Sequence, residues 1–255
     1  MLIDTHTHIY LGHFDEDRNE IINKCKALDI QKLLLPNIDV STISALHKTC
    51  EEYSICMPMM GLHPCSVKKG FENELSIIKN HLFNGKYTAV GEIGIDLYWN
   101  KSTLSMQQIA FKEQIIWAKD LNLPIVIHAR ESYQEIFDVI DEVHDNNLKG
   151  IFHCFSGDLD QAKKIINYGT FKLGVGGVVT FKNAGLDKTL KEISLEHLVL
   201  ETDSPYLTPT PHRGKRNESS YLKLIAEKLV EIYNCNFDEI AETTTENAKI
   251  IFKLD

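Results

Sequence analysis

Four histidines and two carboxylates occupy positions that a nitrogen- and oxygen-liganded metal centre would need. His6 and His8 leave the first apolar run as Asp4-Thr5-His6-Thr7-His8. A spacing of two along extended chain points both imidazoles to one face. Glu92 lies near the end of another run in Val90-Gly91-Glu92-Ile93-Gly94-Ile95-Asp96. His128 ends a further run, His153 lies near the end of the next, and Asp203 follows the last. This set exceeds what one tetrahedral zinc with an open position requires, and it suits two divalent cations sharing a carboxylate. Such a pair, about 3.5–4 Å apart, lowers the pKa of a water held between the ions and neutralises charge on the group under attack. Glu92 is assigned the shared position, because a carboxylate has two oxygens to divide. His6 and His8 then complete one site, and His128 and His153 the other. Asp203 is the candidate ligand and general base, receiving the proton of the attacking water. A lone buried histidine is more often a hydrogen-bonded core residue than a ligand, so the reading rests on the whole set.

The elements that must position these residues are eight short apolar runs: Met1–Thr5, Lys32–Pro36, Cys56–Leu62, Thr88–Ile93, Pro124–His128, Gly150–Phe155, Thr170–Val175 and Leu198–Thr202. Most are continuous rather than alternating, as in parallel strands covered on both faces. Helical periodicity fills the intervals at Glu16–Leu28, Ser41–Tyr53, Glu72–Phe83, Ser105–Leu121, Tyr133–Asp145, Leu159–Tyr168 and Asn183–Ile193. Two closing helices are predicted at Glu218–Tyr233 and Phe237–Phe252. In Ser105–Leu121 the apolar stripe is read as Ile109, Ile116 and Leu121 among Gln, Lys and Glu. The order predicts an α/β fold, a (β/α)8 TIM barrel in one domain over residues 1–255. Periodicity cannot count closure, so an open doubly wound sheet is the alternative. The candidate ligands fall at C-terminal strand ends, where barrel enzymes build their active sites.

The formal net charge of −9 lacks the broad basic face of a nucleic-acid binder. Bound cations can nevertheless create a positive field inside an acidic protein. No stretch is long and apolar enough to span a membrane. The six scattered cysteines and the absence of a basic leader predict a cytoplasmic protein with reduced thiols. Arg130 shares its strand face with His128 and is read as a bidentate phosphate clamp, against a plain salt bridge. In the same reading, Arg213, Lys215 and Arg216 contact phosphate, against a solvated charge run. Tyr98 and Trp99 either stack on a base or pack as a loop pair. Asp4 is a candidate for orienting a ligand histidine. Gly174-Val175-Gly176-Gly177 is more a tight strand exit than a phosphate loop. Cys154, if extended, should face away from His153, and a nucleophilic role is not assigned to it. His13, His47, His81, His144 and His197 receive no catalytic role.

The segments DTHTH at 4–8, GLHP at 61–64, VGEIGID at 90–96, HAR at 128–130, FHCFSG at 152–157, ETDSPYLTP at 201–209 and PHRGKRNE at 211–218 run in order through nearly the whole chain. Together they resemble the TatD family of metal-dependent hydrolases, within the amidohydrolase-like barrels. The resemblance implies two divalent cations, sometimes three, and phosphodiester hydrolysis of DNA, often as a 3′→5′ exonuclease. It implies ligand roles for His6, His8, Glu92, His128, His153 and Asp203, contact of Glu201 with an additional cation, and a place for His63 in the substrate pocket. Cys65 stands where the family often has a second histidine, and Ser219 where a proline is common.

The expected activity is therefore a deoxyribonuclease acting on single strands or frayed ends, with no obligate protein partner evident. Zinc, manganese and magnesium are all admissible; imidazole-rich ligation favours the first two. The alternative is an amide or ester hydrolase, such as a D-aminoacyl-tRNA deacylase or a small-molecule amidohydrolase, because fold does not decide between them. A non-catalytic scaffold would have lost ligands, and none is missing.

Overall fold

Continuous Val, Ile and Leu runs are stable as strands only when both faces are covered, and the chain meets this with helices outside and side chains inside. The computed structural model describes all 255 residues. Its first half runs β1 (Leu2–Asp4), α1 (Arg18–Ala27), β2 (Ile30–Leu35), α2 (Ile43–Glu52), β3 (Cys56–Pro58), α3 (Phe71–Asn84), β4 (Val90–Asp96) and α4 (Leu104–Asp120). The second half continues β5 (Ile125–Arg130), α5 (Tyr133–Val143), β6 (Gly150–Phe152), α6 (Leu159–Asn167), β7 (Phe171–Val175), α7 (Leu186–Lys191) and β8 (Leu198–Leu200). Helices α8 (Leu222–Tyr233) and α9 (Phe237–Phe252) end the chain. No helix is long and apolar enough to cross a membrane.

Parallel ladders join β1-β2-β3 and β4 through β8 in sequence order. Two seams close the ring. At one, the Met60 amide donates to Ala89 O at 3.2 Å and the Gly91 amide to Met60 O at 3.0 Å. At the other, the Thr5 amide donates to Leu200 O at 3.0 Å and the Asp203 amide to His6 O at 2.9 Å. The open-sheet alternative is thereby excluded, and the architecture is a closed eight-stranded barrel.

The lumen is built in layers. Ile3, Leu34, Met59, Ala89, Val126, Ile151 and Val199 form an apolar floor, one from each of seven strand segments, and Ala248, Ile251 and Phe252 of α9 plug it from below. The second, larger cluster packs strands against the surrounding helices. Above the floor the period of two carries each strand upward. On β5, Val126 lies in the floor, so His128 faces the middle of the lumen and Arg130 its rim. On β8, Val199 is followed at the same spacing by Glu201 and Asp203. In β4 the register shifts between Val90 and Ile93, and Glu92 enters the lumen where alternation from Ala89 would place Gly91 and Ile93.

Helix α4 differs from its predicted orientation. Ile109 and Ile116 are exposed, while Gln107, Phe111, Gln114, Ile115 and Ala118 are buried. The reason is polar. Gln107 Oε1 accepts from the Asp96 amide at 2.8 Å, and its Nε2 donates to Asp96 O at 3.0 Å. Gln114 repeats the clamp on the backbone of Leu62, at 2.7 and 3.3 Å. Two glutamines thus satisfy strand-end amides beneath His63 and Asp96, and their hydrogen bonds outweigh burial of two isoleucines. Gln107→Leu leaves an amide and a carbonyl without partners, an expected cost of about 2–4 kcal/mol, whereas Ile109→Ser should stay within about 0.5 kcal/mol. Urea unfolding of the two variants checks the contrast; equal effects would refute the clamp.

Candidate metal centre

A cavity of about 740 Å³ opens at the C-terminal strand ends, and His8, His63, Glu92, His128, His153 and Asp203 all line it. Strand β1 ends at Asp4, but an isolated bridge from Thr7 to Ser204 keeps the following chain extended. His6 and His8 therefore still meet, with Nε2 atoms 3.2 Å apart. Glu92 Oε2 is 3.3 Å from His6 Nε2 and 3.6 Å from His8 Nε2. Its Oε1 is 2.8 Å from His128 Nδ1, 3.3 Å from His153 Nε2 and 3.4 Å from His63 Nε2. One carboxylate thus divides its two oxygens between two groups of imidazoles. Asp203 Oδ1 lies 3.7 Å from both His6 Nε2 and His8 Nε2.

Hydrogen bonds behind the imidazoles set their tautomers. Tyr10 OH donates to Pro36 O at 2.6 Å, so toward His8 Nδ1, 3.2 Å away, its oxygen is the acceptor. His8 then carries its proton on Nδ1 and presents a lone pair at Nε2, as a ligand must. His153 Nδ1 lies 3.1 Å from Glu201 Oε1, which leaves its Nε2 free in the same way. Glu201 is fully buried beneath them. A methyl on Gly174 would lie 2.3 Å from Glu201 Oε2, so only glycine gives that carboxylate room. Gly94 at φ +142° lets β4 run against β5; a methyl there would meet His128 O at 2.1 Å.

The electrostatics of the metal-free chain describe a site short of positive charge. Burial pushes Asp203 well above the usual carboxylate range, and the charges of Glu92, Glu201 and Asp4 push the same way. Burial also raises Glu201, to about 7. It opposes ionisation of Glu92, but the surrounding imidazoles, His63 foremost, outweigh it and hold that carboxyl well below its ordinary value. His128 is likewise pulled down by burial, yet the bonds to Asp96 and Glu92 raise it to about 9. Burial keeps His6, His8 and His153 neutral, with lowered proton affinities. Two buried polar atoms, His6 Nδ1 and Glu201 Oε2, have no hydrogen-bond partner. Ligand atoms converge in three groups: His6, His8 and Asp203; His6, His153 and Glu201; and His63, Glu92 and His128. Neutral imidazoles, crowded carboxylates and orphaned atoms are what divalent cations would satisfy, so the residues fit such ions.

Other readings change with the tertiary structure. The 212–216 segment stays out of the cavity lining. Arg216 forms a two-pronged pair with Asp17, and Arg213 stacks on Phe181 at 3.6 Å while donating to Thr208 O at 3.1 Å. The guanidiniums of Arg213 and Arg216 are thus engaged by protein groups, and Lys215 is exposed, so none of the three read for phosphate contact is brought to the cavity beside Glu92. Asp4 accepts from the Thr202 hydroxyl at 2.6 Å, the Thr202 amide at 2.9 Å and the His6 amide at 3.3 Å. It anchors backbone rather than an imidazole. Cys154 is not extended: β6 stops at Phe152, and φ +46° turns residue 154 into the cavity wall. Burial and nearby carboxylates raise its thiol well above the ordinary value, which disfavours the nucleophilic thiolate.

Asp96 carries no assigned role in the sequence reading, yet its Oδ2 lies 2.9 Å from His128 Nε2. The spacing of Glu92, Gly94 and Asp96 along one strand face is the signal that could have found it. The model of a family described as TatD related DNase matches residues 3–253. The chain belongs to this TatD family. The metal-dependent hydrolase YabD of Bacillus subtilis (strain 168) is 40% identical, with all of both chains covered. YjjV, a TatD homologue from Escherichia coli K12 whose crystal structure is known, superposes with a TM-score of 0.93 at 27% identity, covering 100% of this chain and 98% of that one. A TatD-family hydrolase from Entamoeba histolytica shares the fold, with a TM-score of 0.83 at 20% identity over 98% and 97% of the two chains. This chain is accordingly a TatD-type metal-dependent hydrolase, with the histidine and carboxylate clusters that divalent ions require.

Proposed function

We propose that this TatD-type hydrolase is a deoxyribonuclease that removes nucleotides from the ends of single strands or frayed duplexes, in the 3′→5′ direction suggested by the family resemblance. The observation that carries the reading is Glu92, one carboxylate shared between two groups of imidazoles, in a cavity whose rim holds the unpaired guanidinium of Arg130. His6, His8 and Asp203 would hold one divalent cation, His128, His153 and His63 a second, with Glu92 common to both. Glu201 offers a free oxygen for a third. Zinc, manganese or magnesium, when bound, would acidify the attacking water and neutralise charge on the phosphoryl oxygens.

The remaining work falls to the chain. Burial and neighbouring carboxylates favour the protonated form of Asp203 in the metal-free chain; with divalent charge beside it the carboxylate would be ionised and able to take the proton of the attacking water. Glu92 keeps its negative charge throughout. Arg130, with no carboxylate partner, offers its N–H edge to the phosphate. Asp96 and Gln107 hold His128 and the end of β4 in place. The apolar floor and α9 close the cavity from below, so a strand enters by its end.

The test is release of mononucleotides from an end-labelled single-stranded oligonucleotide by metal-stripped protein, before and after adding magnesium, manganese or zinc. Cleavage that requires the cation supports the reading. Bound metal without cleavage by any cation refutes it, and acyl substrates, D-aminoacyl-tRNA among them, take its place.

Two further outcomes follow from the ligand set. Tyr10→Phe removes the acceptor that fixes the His8 tautomer, and cation affinity measured by titration calorimetry should fall about 10–100-fold. Cation uptake should also release a proton. His128 of the metal-free chain is protonated below about pH 9, and a ligand imidazole must be neutral. Affinity should therefore rise with pH through neutrality, His63 and Asp203 adding to the same slope wherever they still hold a proton. Calorimetry in buffers of different ionisation enthalpy counts the protons; none released at neutral pH would remove His128 from the ligand set.

A further inference from the structure

One wall of the cavity carries aromatic surface that hydrolysis itself does not use. Trp99 is 71% exposed and Tyr98 50%, in a chain whose only other exposed aromatics are Phe83 and Tyr206. Their rings meet edge to face, with centroids 4.8 Å apart. The Arg130 guanidinium lies 3.8 Å over the Tyr98 ring and 5.6 Å from the centre of Trp99. Stacking occupies the flat face of a guanidinium and leaves its N–H edge free. Arg130 has no ion-pair partner, unlike Arg18 and Arg216.

The platform is tied to the metal cluster. The amides of Tyr98 and Trp99 donate to Asp96 Oδ1 at 3.0 and 3.3 Å, while Asp96 Oδ2 faces His128. Trp99 and Arg130 share one cavity lining with Glu92, His128 and Asp203. A planar apolar face beside a cation that can take a phosphate is the pairing found in single-strand binding grooves. A base within a duplex already stacks on its neighbours, so only an unpaired base would use this face.

We propose that Trp99 is a stacking platform for an unpaired nucleobase adjoining the scissile phosphate, with Arg130, spread over Tyr98, receiving a phosphate of the same strand. The proposal rests on the phosphodiesterase reading above and adds to it the subsite that selects single-stranded nucleotide substrates.

The chain has two tryptophans, and the other, Trp117, is buried. In the Trp117→Phe protein, loaded with cation, emission therefore reports Trp99. A short phosphorothioate-linked oligothymidylate should quench it saturably, and the same backbone with abasic linkers should not. Equal responses to both strands would overturn the platform. In parallel, Trp99→Ala should lower selectivity, the ratio of kcat/KM on an oligonucleotide to that on bis(p-nitrophenyl) phosphate, by about 5–100-fold. Trp99→Phe should recover part of it. An unchanged ratio overturns the proposal even where both rates fall together. If the wild type cleaves no oligonucleotide, the nuclease reading fails, and the quenching titration still decides whether a base stacks on Trp99.

Discussion

Asp203→Ala is expected to lower kcat on an end-labelled oligonucleotide by at least about 10³-fold while leaving the fold intact, because the change removes the residue proposed as both ligand and general base. The residue follows β8 at φ +56°, held by its own amide to His6 O. That geometry aims the carboxylate at His6 and His8, not at packed apolar side chains. Its raised proton affinity shows that burial and the charges of Glu92, Glu201 and Asp4 oppose its ionisation. Removing it from the metal-free chain should therefore not lower the melting temperature, and Asp203→Asn should lose activity nearly as fully as the alanine variant. A thermal melt alongside single-turnover kinetics separates the two effects. Activity within tenfold of wild type would take Asp203 out of the chemistry.

Glu92→Gln should do more, since it alone touches both groups of imidazoles. The amide retains size and one acceptor but loses the charge that the five surrounding histidines face. Loss of an outer-shell partner typically weakens a metal site about 10–100-fold, and losing a shared ligand should exceed that at both positions. Cation content after dialysis should drop from the proposed two per chain toward none, with hydrolysis falling to background. In the metal-free variant the loss of Glu92 should also lower the proton affinity of His128 and His63, which that carboxylate helps to raise. Metal content measured by emission spectrometry decides the matter. Retention of two cations would mean that Glu92 is not shared, and the ligand groups would have to be redrawn around Asp203 and Glu201.

Loop residues and helix faces were less legible than the strands. In α4, Ile109 and Ile116 have the spacing of a buried stripe, but periodicity weighs only apolar side chains. It cannot see that Gln107 and Gln114 are needed to pair amides on β4 and beside His63. The charges of 212–216 suggest phosphate, whereas the fold brings Asp17 and Phe181 within reach of Arg216 and Arg213 first. Gly150–Phe155 carries no mark of where its strand ends, so an extended chain would turn Cys154 away from His153, whereas one positive φ brings it to the cavity wall.

What the sequence determined by itself was local: eight mostly continuous apolar runs, the helices between them, and ionisable residues at or near the ends of those runs. Those follow from the period of two in a strand and from the need to cover both faces of a parallel sheet. Only the closed barrel decided the rest. Its seams bring Thr7 beside Ser204 and Met60 beside Val90. The β4 irregularity carries Glu92 inward, and residues far apart in the chain meet around one buried carboxylate. Burial there sets proton affinities that no residue has on its own, because the cost of a charge depends on what surrounds it in three dimensions.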